Sequence, residues 1–175
     1  MIEYEVKIRV GNLQPLRARL ASLRIRPGTS LTERDLYFNS PTRDFSKTDE
    51  ALRIRSTEEG TSLTYKGPKL GLAGVKAREE IIASVDPKEA MDEILVRLGF
   101  TRTAMVEKTR ETYRVEGTYV ALDEVKGLGS FVEIEAPSGL GEDEAIALIN
   151  RVRGMLGVTG DETPLSYLEM ILATR

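Results

Sequence analysis

The chain opens with IEYEVKIRV, a run in which apolar and charged residues alternate strictly. Successive side chains of a β-strand point to opposite faces, so this pattern predicts a strand with two unlike surfaces. Glu3, Glu5 and Lys7 share one face with Arg9, while the opposite face is entirely apolar or aromatic. The ionic face is either ordinary solvated surface or the lining of a wet, charged site.

Similar alternation recurs along the rest of the chain and predicts about eight strands. After the first, we expect strands at 34–39, 51–56, 62–67, 75–85, 104–115, 118–125 and 130–136. Most neighbours in this series are joined by short turns, which indicates a mainly antiparallel sheet. Eight antiparallel strands can close into a barrel.

Helical spacing of apolar residues predicts about four helices between and after these strands. One covers 13–23 with Asn12 as its cap, and one begins at Asp86-Pro87 and ends at Gly99. The third covers 141–157, and the last follows Thr163-Pro164 as its cap. We therefore predict an α+β fold in one domain over residues 1–175, with flanking helices and a mainly antiparallel sheet that forms a barrel or a sandwich.

Composition narrows the chemistry that this chain can carry. Its 175 residues are 41% hydrophobic and 30% charged, as expected for a soluble globular protein. A net charge of -3 argues against a general nucleic-acid binder. The sequence contains neither Cys nor His, which excludes disulfides, thiolate metal sites and His-based catalysis. Any catalysis must use carboxylates, Lys, Arg, Tyr or a hard metal ion.

The sequence lacks the usual signals for membrane insertion and secretion. It contains no run of about 18 apolar residues that could span a membrane, and the first strand begins at residue 2, which leaves no space for a signal peptide. We expect a cytoplasmic protein without membrane or nucleic-acid partners. The sequence leaves the oligomeric state open, with a homodimer as one alternative.

The ionic faces of the strands allow two interpretations of the barrel. Most antiparallel strands bury their apolar face and expose their charges, which would give a barrel with a conventional core. In the inverse arrangement the apolar faces pack against the outer helices and the charges line a water-filled bore. The basic residues on these faces are Lys7, Arg53, Arg55, Lys66, Arg78, Lys108 and Arg110, and the acidic ones are Glu3, Glu5, Glu80, Asp123, Glu133 and Glu135.

The inverse arrangement would need a ligand that balances both kinds of charge, because buried charges are costly unless they are paired or ligated. A triphosphate with its divalent metal ion meets this need. Arg and Lys recognise phosphate oxygens, and carboxylates are suitable ligands for Mg²⁺ or Mn²⁺.

An ordered series of motifs resembles the CYTH family, the triphosphate tunnel metalloenzymes. The segment EYEVK is similar to the ExExK signature of this family, and the resemblance continues through DLYF, LRIR, TYKGP, REE, EKTR, ALDEVKGLGSFVEIE and SYLEMIL. It covers nearly the whole chain and is closest to the class IV adenylyl cyclase-like subgroup. The resemblance implies a closed eight-stranded tunnel with a charged interior, which favours the inverse arrangement.

The resemblance also implies roles for individual residues. Metal ligands for Mg²⁺ or Mn²⁺ would be Glu3, Glu5, Glu133 and Glu135, and the triphosphate would be bound by Lys7, Arg53, Arg55, Lys66, Arg78, Lys108 and Arg110. Asp123 and Glu80 would orient bases or assist metal binding. Lys7, Lys66 and Asp123 are the catalytic candidates, although the two lysines serve equally well as phosphate ligands.

Six further residues near the ionic faces are not assigned to the predicted site. Arg9 and Arg114 lie near strand ends and are either rim charges or part of the site. Tyr37 and Tyr167 are expected to be packing residues. Glu79 and Glu111 point outward by alternation and are expected to be solvated.

The functional expectation is a metal-dependent enzyme acting on a triphosphate. An adenylyl cyclase would convert ATP to cyclic AMP and pyrophosphate, whereas a triphosphatase would hydrolyse thiamine triphosphate, tripolyphosphate or a nucleoside triphosphate. A non-catalytic sensor of nucleotide or polyphosphate is a third possibility, and a lipocalin-like barrel for an apolar ligand is a fourth. The carboxylates count against the sensor, and the ionic faces count against the apolar barrel.

Overall fold

The computed structural model describes residues 2–71 and 76–174. The strands are β1 (Ile2–Val10), β2 (Pro27–Asn39), β3 (Ala51–Thr57), β4 (Gly60–Lys66), β5 (Leu70–Gly71), β6 (Lys76–Ser84), β7 (Thr101–Val115), β8 (Thr118–Val125), β9 (Gly129–Glu135) and β10 (Asp161–Glu162). The helices are α1 (Gln14–Ser22), α2 (Phe45–Thr48), α3 (Lys88–Arg97), α4 (Glu142–Leu156) and α5 (Tyr167–Ala173). Within these ranges, none of the helices has both the length and the apolar composition needed to cross a bilayer.

Eight of the strands form a closed antiparallel barrel in the order β1-β9-β8-β7-β2-β3-β4-β6, and β6 returns to β1. The closing pair places Glu3 opposite Arg78 and Tyr4 opposite Ala77. The short strands β5 and β10 pair with β6 and β1, outside this ring. The predicted barrel is confirmed. Five helices are described where about four were predicted, and the additional one is the single turn α2.

The main hydrophobic core lies outside the barrel wall. The outer faces of β1, β7, β8 and β9 pack against α1 and α4, which contribute Leu16, Leu20, Ile149 and Val152 to one buried cluster. Ile8 on β1 is fully buried in this cluster, so the apolar side of the first strand faces outward to the helices. Burial of these side chains provides the dominant driving force for wrapping the helices around the barrel.

A second outer cluster lies on the opposite side of the barrel. Phe38 on β2 and Leu52 and Ile54 on β3 pack there against Phe45 of α2 and Leu95 of α3. The helices thus cover apolar faces on both sides of the barrel, and the charged faces of the same strands point inward. The inverse arrangement of the barrel is the observed one.

One end of the bore is filled by apolar side chains rather than water. Phe131, Val106 and Tyr37 lie on the inward faces of their strands, where they pack against Tyr167 and Met170 of α5. The charged lining of the bore therefore extends over only part of its length. Apolar residues end each of these inward faces, and α5 supplies the surface that buries them.

Several boundaries and caps differ from the sequence-based expectations. β2 begins at Pro27, well before the predicted 34–39, because its first half pairs with β7. The cap of α5 is Ser166 instead of Thr163: its hydroxyl accepts a hydrogen bond from the Glu169 amide. Since α3 begins at Lys88 with Pro87 at its N-cap, Asp86 does not cap it.

The start of α1 also differs slightly from the expectation. The Asn12 side chain accepts a hydrogen bond from the Gln14 amide, although the helix N-cap itself is Leu13. Residue 75, where the sequence predicts the start of a strand, lies outside the described residues.

Replacement of Gly160 by Ala tests the close approach of the chain to β1 just before β10. Gly160 has φ +152°, and a Cβ there would overlap the carbonyl oxygen of Arg9. We expect Gly160→Ala to lower the free energy of unfolding by about 1–3 kcal/mol, as overpacking does. Gly11→Ala is the matched control, because a Cβ at Gly11 meets nothing within 4 Å. Chemical denaturation measures both, and equal stabilities would contradict the described packing.

Candidate active site

The barrel encloses a cavity of about 260 Å³ lined by almost all the residues that the sequence predicts for the site. Acidic and basic side chains from six strands reach it, namely Glu3, Glu5, Lys7, Arg53, Arg55, Lys66, Arg78, Glu80, Lys108, Arg110, Glu133 and Glu135. Asp123 is fully buried behind Arg110 and contacts the site through it. The structure therefore brings the predicted set together in one place.

A cluster of three bases and two acids occupies the middle of the bore. Arg55 donates to Asp35 from Nε to Oδ1 at 2.7 Å, and Arg53 donates to the same carboxylate at 3.0 Å. Lys108 lies 2.6 Å from Glu33 Oε2, which Arg55 also contacts at 2.9 Å. Burial would raise the pKa of Asp35, but Arg53, Arg55 and Lys108 hold it far below its ordinary value.

Glu33 and Asp35 are site residues that the sequence analysis missed. They lie on β2 with Tyr37 on the inward face, next to the outward Arg34 and Leu36. Alternation gives a weak signal here because consecutive charges at Glu33, Arg34 and Asp35 place ionic residues on both faces. The only sequence clue is the two-residue spacing of Glu33 and Asp35, which matches that of Arg53 and Arg55 on β3.

A second network joins the barrel wall to α5. Glu133 pairs with Lys7 at 3.0 Å and also with Arg110, whose Nε donates to Asp123 at 2.7 Å. The Tyr167 hydroxyl donates to the other oxygen of Asp123 at 2.7 Å. Burial would raise the pKa of Glu133, but Arg110 and Lys7 hold it well below its ordinary value.

The tyrosine that was predicted to pack therefore has two contacts of different kinds. The Tyr167 ring meets Phe131 edge-on with centroids 5.0 Å apart, as a packing residue would. The Lys7 ammonium also lies 4.1 Å from the centroid of the same ring. Tyr167 thus anchors α5 to the buried charges as well as to the apolar end of the bore.

Carboxylates are concentrated at the other end of the bore. Glu5 lies opposite Glu135 in the β1–β9 pairing, and Glu3 follows on the same face of β1. Burial, together with the negative charges of Glu3 and Glu5, raises the pKa of Glu135 to about 7. Burial also raises the pKa of Glu3, in spite of the opposing effect of Lys66. This end of the bore consequently disfavours the ionised forms of Glu3 and Glu135.

These carboxylates fit a hard divalent cation by chemistry, although they are not preassembled around one. All the donors are oxygens, which suits Mg²⁺ or Mn²⁺. Among the described residues, no group of three acidic side chains already has metal-binding geometry. Both oxygens of Glu133 are already engaged, one by Lys7 and one by Arg110, so Glu133 would have to leave one of these partners to contact an ion.

Two basic residues beside the acids lack full compensation. Burial and the positive charge of Arg53 lower the pKa of Lys66 to about 7, even though Lys66 pairs with Glu80. The Nε of Arg53 is buried and has no hydrogen-bond partner among the described residues. A buried donor without an acceptor is costly, so Arg53 is a place where an anionic ligand would add a missing contact.

Arg78 contributes to the structure of the barrel as well as to the cavity lining. It donates to the backbone carbonyls of Gly67 and Asp49, and its guanidinium lies 3.7 Å from the Asp49 carboxylate. Lys69 also pairs with Asp49, at 3.2 Å. Arg78 lines the cavity while joining β6 to the segments before β3 and after β4.

The marginal residues of the sequence analysis divide between surface and structural positions. Arg9 and Arg114 are both exposed, and Glu79 is exposed as expected. The expectation that Glu111 is solvated is wrong, because Arg17 of α1 donates to it at 3.0 Å and shields it. Tyr37 is buried in the apolar cluster beside α5, which agrees with a packing role.

Comparison with known proteins gives the family. Residues 1–162 match the CYTH domain. The chain belongs to the CYTH family. The match covers the whole barrel and α4, so the strands that carry the charged bore are all CYTH elements.

Individual CYTH relatives resemble the chain over nearly its full length. The Methanocaldococcus jannaschii protein MJ0240, provisionally named an adenylate cyclase, is 36% identical over 173 residues, which is 97% of this chain and 98% of that protein. The structure of PH1819 from Pyrococcus horikoshii OT3 is 36% identical with a TM-score of 0.84, covering 99% of each chain. HpAC1 from Hippeastrum, a proposed adenylyl cyclase with a dominant triphosphatase activity, shares the fold at 20% identity and a TM-score of 0.76, covering 99% of this chain and 96% of its own.

Loss of the Asp35 charge tests whether internal counter-ions hold the CYTH barrel together. Asp35→Asn leaves Arg53, Arg55 and Lys108 with too little negative charge in a buried site, so we expect the free energy of unfolding to fall by about 3–5 kcal/mol. Glu107→Gln is the control, because its ion pair with Arg34, at 2.9 Å, lies on the outside of the same strand pair. The control should cost less than about 1 kcal/mol in urea denaturation. Similar losses of stability in both variants would contradict a stabilising role for the buried ion pairs of Asp35.

Proposed function

We propose that this protein is a divalent-metal-dependent enzyme that acts on a triphosphate inside the bore, with adenylyl cyclase chemistry as the first candidate. The observation that carries the proposal is the meeting of an unsatisfied buried donor and a crowd of acids in one cavity. The buried Arg53 Nε has no hydrogen-bond acceptor among the described residues, and burial together with the charges of Glu3 and Glu5 raises the pKa of Glu135 to about 7. A triphosphate bound with a divalent cation relieves both.

The bases would bind the phosphate oxygens. Arg53 and Arg55 present guanidinium groups from adjacent inward positions of β3, and Lys108 and Arg110 face them from β7. Before any ligand arrives, Glu33 and Asp35 orient the first three of these groups, and ion pairs with Asp123 and Glu133 orient Arg110. Preorganised positive charge of this kind stabilises a phosphoryl transition state without reorganisation at the moment of reaction.

Proton transfer would fall to Lys66 or to a carboxylate, since the chain has no His. With its pKa near 7, the Lys66 ammonium can hold or release a proton at neutral pH. A bound phosphate would favour the charged form of Lys66, so we assign Lys66 first as a phosphate ligand. Lys7 and Asp123, the other catalytic candidates, are tied to Glu133 and Arg110 and would act as positioning groups.

Glu3, Glu5 and Glu135 would hold Mg²⁺ or Mn²⁺, with Glu133 as a fourth contributor if Lys7 or Arg110 transfers to phosphate. Such an ion supplies charge neutralisation at the phosphate oxygens. The chain's own contribution is to place these carboxylates next to Lys66 and Arg53, so that metal and bases can contact one ligand together.

Hydrolysis of a triphosphate is the second candidate reaction. It would use the same bases, with water in place of the ribose hydroxyl as nucleophile. The triphosphatase activity attributed to HpAC1, which shares this fold, supports keeping this candidate. The two reactions differ in which phosphorus is attacked, and their products differ accordingly.

Product analysis separates the candidates. Purified protein is incubated with Mg²⁺ or Mn²⁺ and either ATP or tripolyphosphate, and cyclic AMP, pyrophosphate and orthophosphate are measured. We expect cyclic AMP with pyrophosphate from ATP. Orthophosphate without cyclic AMP would identify a triphosphatase. Binding without any product would refute the enzymatic proposal and identify a sensor.

Removal of one acidic charge tests the metal assignment. Glu5→Gln keeps the size of the side chain but removes a hard anionic ligand, so we expect metal-supported turnover to fall at least about 100-fold. The thermal unfolding midpoint should remain within a few degrees of wild type. Glu79→Gln is the control, because Glu79 is an exposed acid on the outer face of β6. Unchanged turnover in Glu5→Gln would remove Glu5 from the site.

A further inference from the structure

The two ends of the bore differ in what they can accept. At the α5 end, the space between the strands is filled by Phe131, Tyr167 and their apolar neighbours. At the opposite end the cavity lining includes Tyr119 and Ile82, two large side chains that carry no charge. Within the bore, the described residues therefore leave more room for a bulky group on a bound triphosphate at this second end, which we call the open mouth and define by Ile82, Tyr119 and Arg114.

The open mouth combines an apolar surface with an aromatic one. Ile82 follows Glu80 on the inward face of β6, lines the cavity and is 60% exposed. Tyr119 lies opposite Glu135 in the β8–β9 pairing, so its ring borders the carboxylate end of the bore. The guanidinium carbon of Arg114 lies 4.9 Å from the Tyr119 ring centroid and holds the ring from the neighbouring strand.

These features are those of a stacking platform. An aromatic ring already packed against an arginine offers a flat surface for another ring, and stacking of this kind is largely tolerant of which base is bound. The exposed Ile82 side chain elsewhere in the open mouth adds an apolar contact. A purely inorganic polyphosphate has no group that could use the aromatic surface or the apolar contact.

We propose that the open mouth binds the aromatic group of an organic triphosphate, such as the base of a nucleoside triphosphate, by stacking on Tyr119 with Ile82 as an apolar contact. This inference rests on the proposed function, because it assumes that a triphosphate occupies the bore. It fixes the direction of the ligand: the terminal phosphate points to Lys7 and Lys108 beside α5, and the organic group remains at the Glu135 end.

A second cavity that adjoins the bore is a weaker place for the organic group. It is a pocket of about 260 Å³ between α2 and α5, which shares Ala51, Arg78 and Ser166 with the bore. Its acids are already satisfied, since Glu50 pairs with Arg43 at 2.7 Å and Glu169 with Lys69 at 2.7 Å. The contacts of Arg78 and Lys69 with Asp49 lie between this pocket and the bore.

The test compares the affinities of ATP and tripolyphosphate, measured by isothermal titration calorimetry with Ca²⁺ as the divalent ion. Tyr119→Ala should lower the ratio of ATP to tripolyphosphate affinity by roughly 5- to 150-fold, the range expected for loss of one stacked base. Tyr119→Phe, which keeps the ring, should restore most of that ratio. Ile82→Ala should lower it by a smaller factor.

Ile81→Ala provides the matched control for the apolar contact. Ile81 is 56% exposed, close to the value for Ile82, but it points to the outer face of the barrel. The affinity ratio of this variant should equal that of wild type. Equal effects of Ile81→Ala and Ile82→Ala would overturn the assignment of Ile82.

Other outcomes have equally definite meanings. An unchanged ratio in Tyr119→Ala, whether both affinities stay the same or fall by an equal factor, would overturn the stacking proposal while leaving the triphosphate site in place. Failure of wild-type protein to bind either ligand would overturn the proposed function, and with it this inference. A Lys108→Ala variant that weakens both ligands alike would confirm that the phosphate chain itself lies in the bore.

Discussion

The pairing of buried charges is the interaction on which this structure depends. Transfer of an ionic group from water into a protein interior is expensive unless counter-ions and hydrogen bonds replace the lost hydration. Here Asp35 and Glu33 meet Arg53, Arg55 and Lys108, while Glu133 meets Lys7 and Arg110. The bore can therefore exist before any ligand enters it, with its guanidinium groups already oriented.

At the carboxylate end of the bore, opposite charges balance the buried charges less completely. At the carboxylate end Glu3, Glu5 and Glu135 repel one another, and beside them Arg53 lacks one acceptor among the described residues while Lys66 is destabilised as a cation. Repulsion within the group of acids, and within the group of bases, lowers the stability of the protein without a ligand. A ligand that carries both signs, such as a metal-bound triphosphate, converts that cost into binding energy.

Helix α5 gives the bore its direction. Its Tyr167 packs on Phe131 and donates to Asp123, so the helix is held both by apolar burial and by a buried charge. Because this end is filled, Lys7 and Lys108 lie deep and the carboxylates lie toward the open mouth. The distribution of charge is thus asymmetric along an otherwise regular barrel, and the proposed direction of the ligand rests on this asymmetry.

Strand alternation in the sequence was enough to predict about eight strands and the grouping of Glu3, Lys7, Arg53, Lys108 and Glu133, because a period of two fixes which residues share a face. Closure of these strands into a barrel was an expectation from the resemblance to the CYTH motifs. It did not decide whether that face pointed to solvent or to the bore, since both arrangements satisfy the same pattern. That choice depends on the helices that cover the apolar faces and on closure of β6 onto β1, which are contacts between residues distant in the chain. Ion-pair partners such as Asp35 with Arg53, and the packing of α5 into one end, likewise exist only after closure, so only the tertiary structure could reveal them.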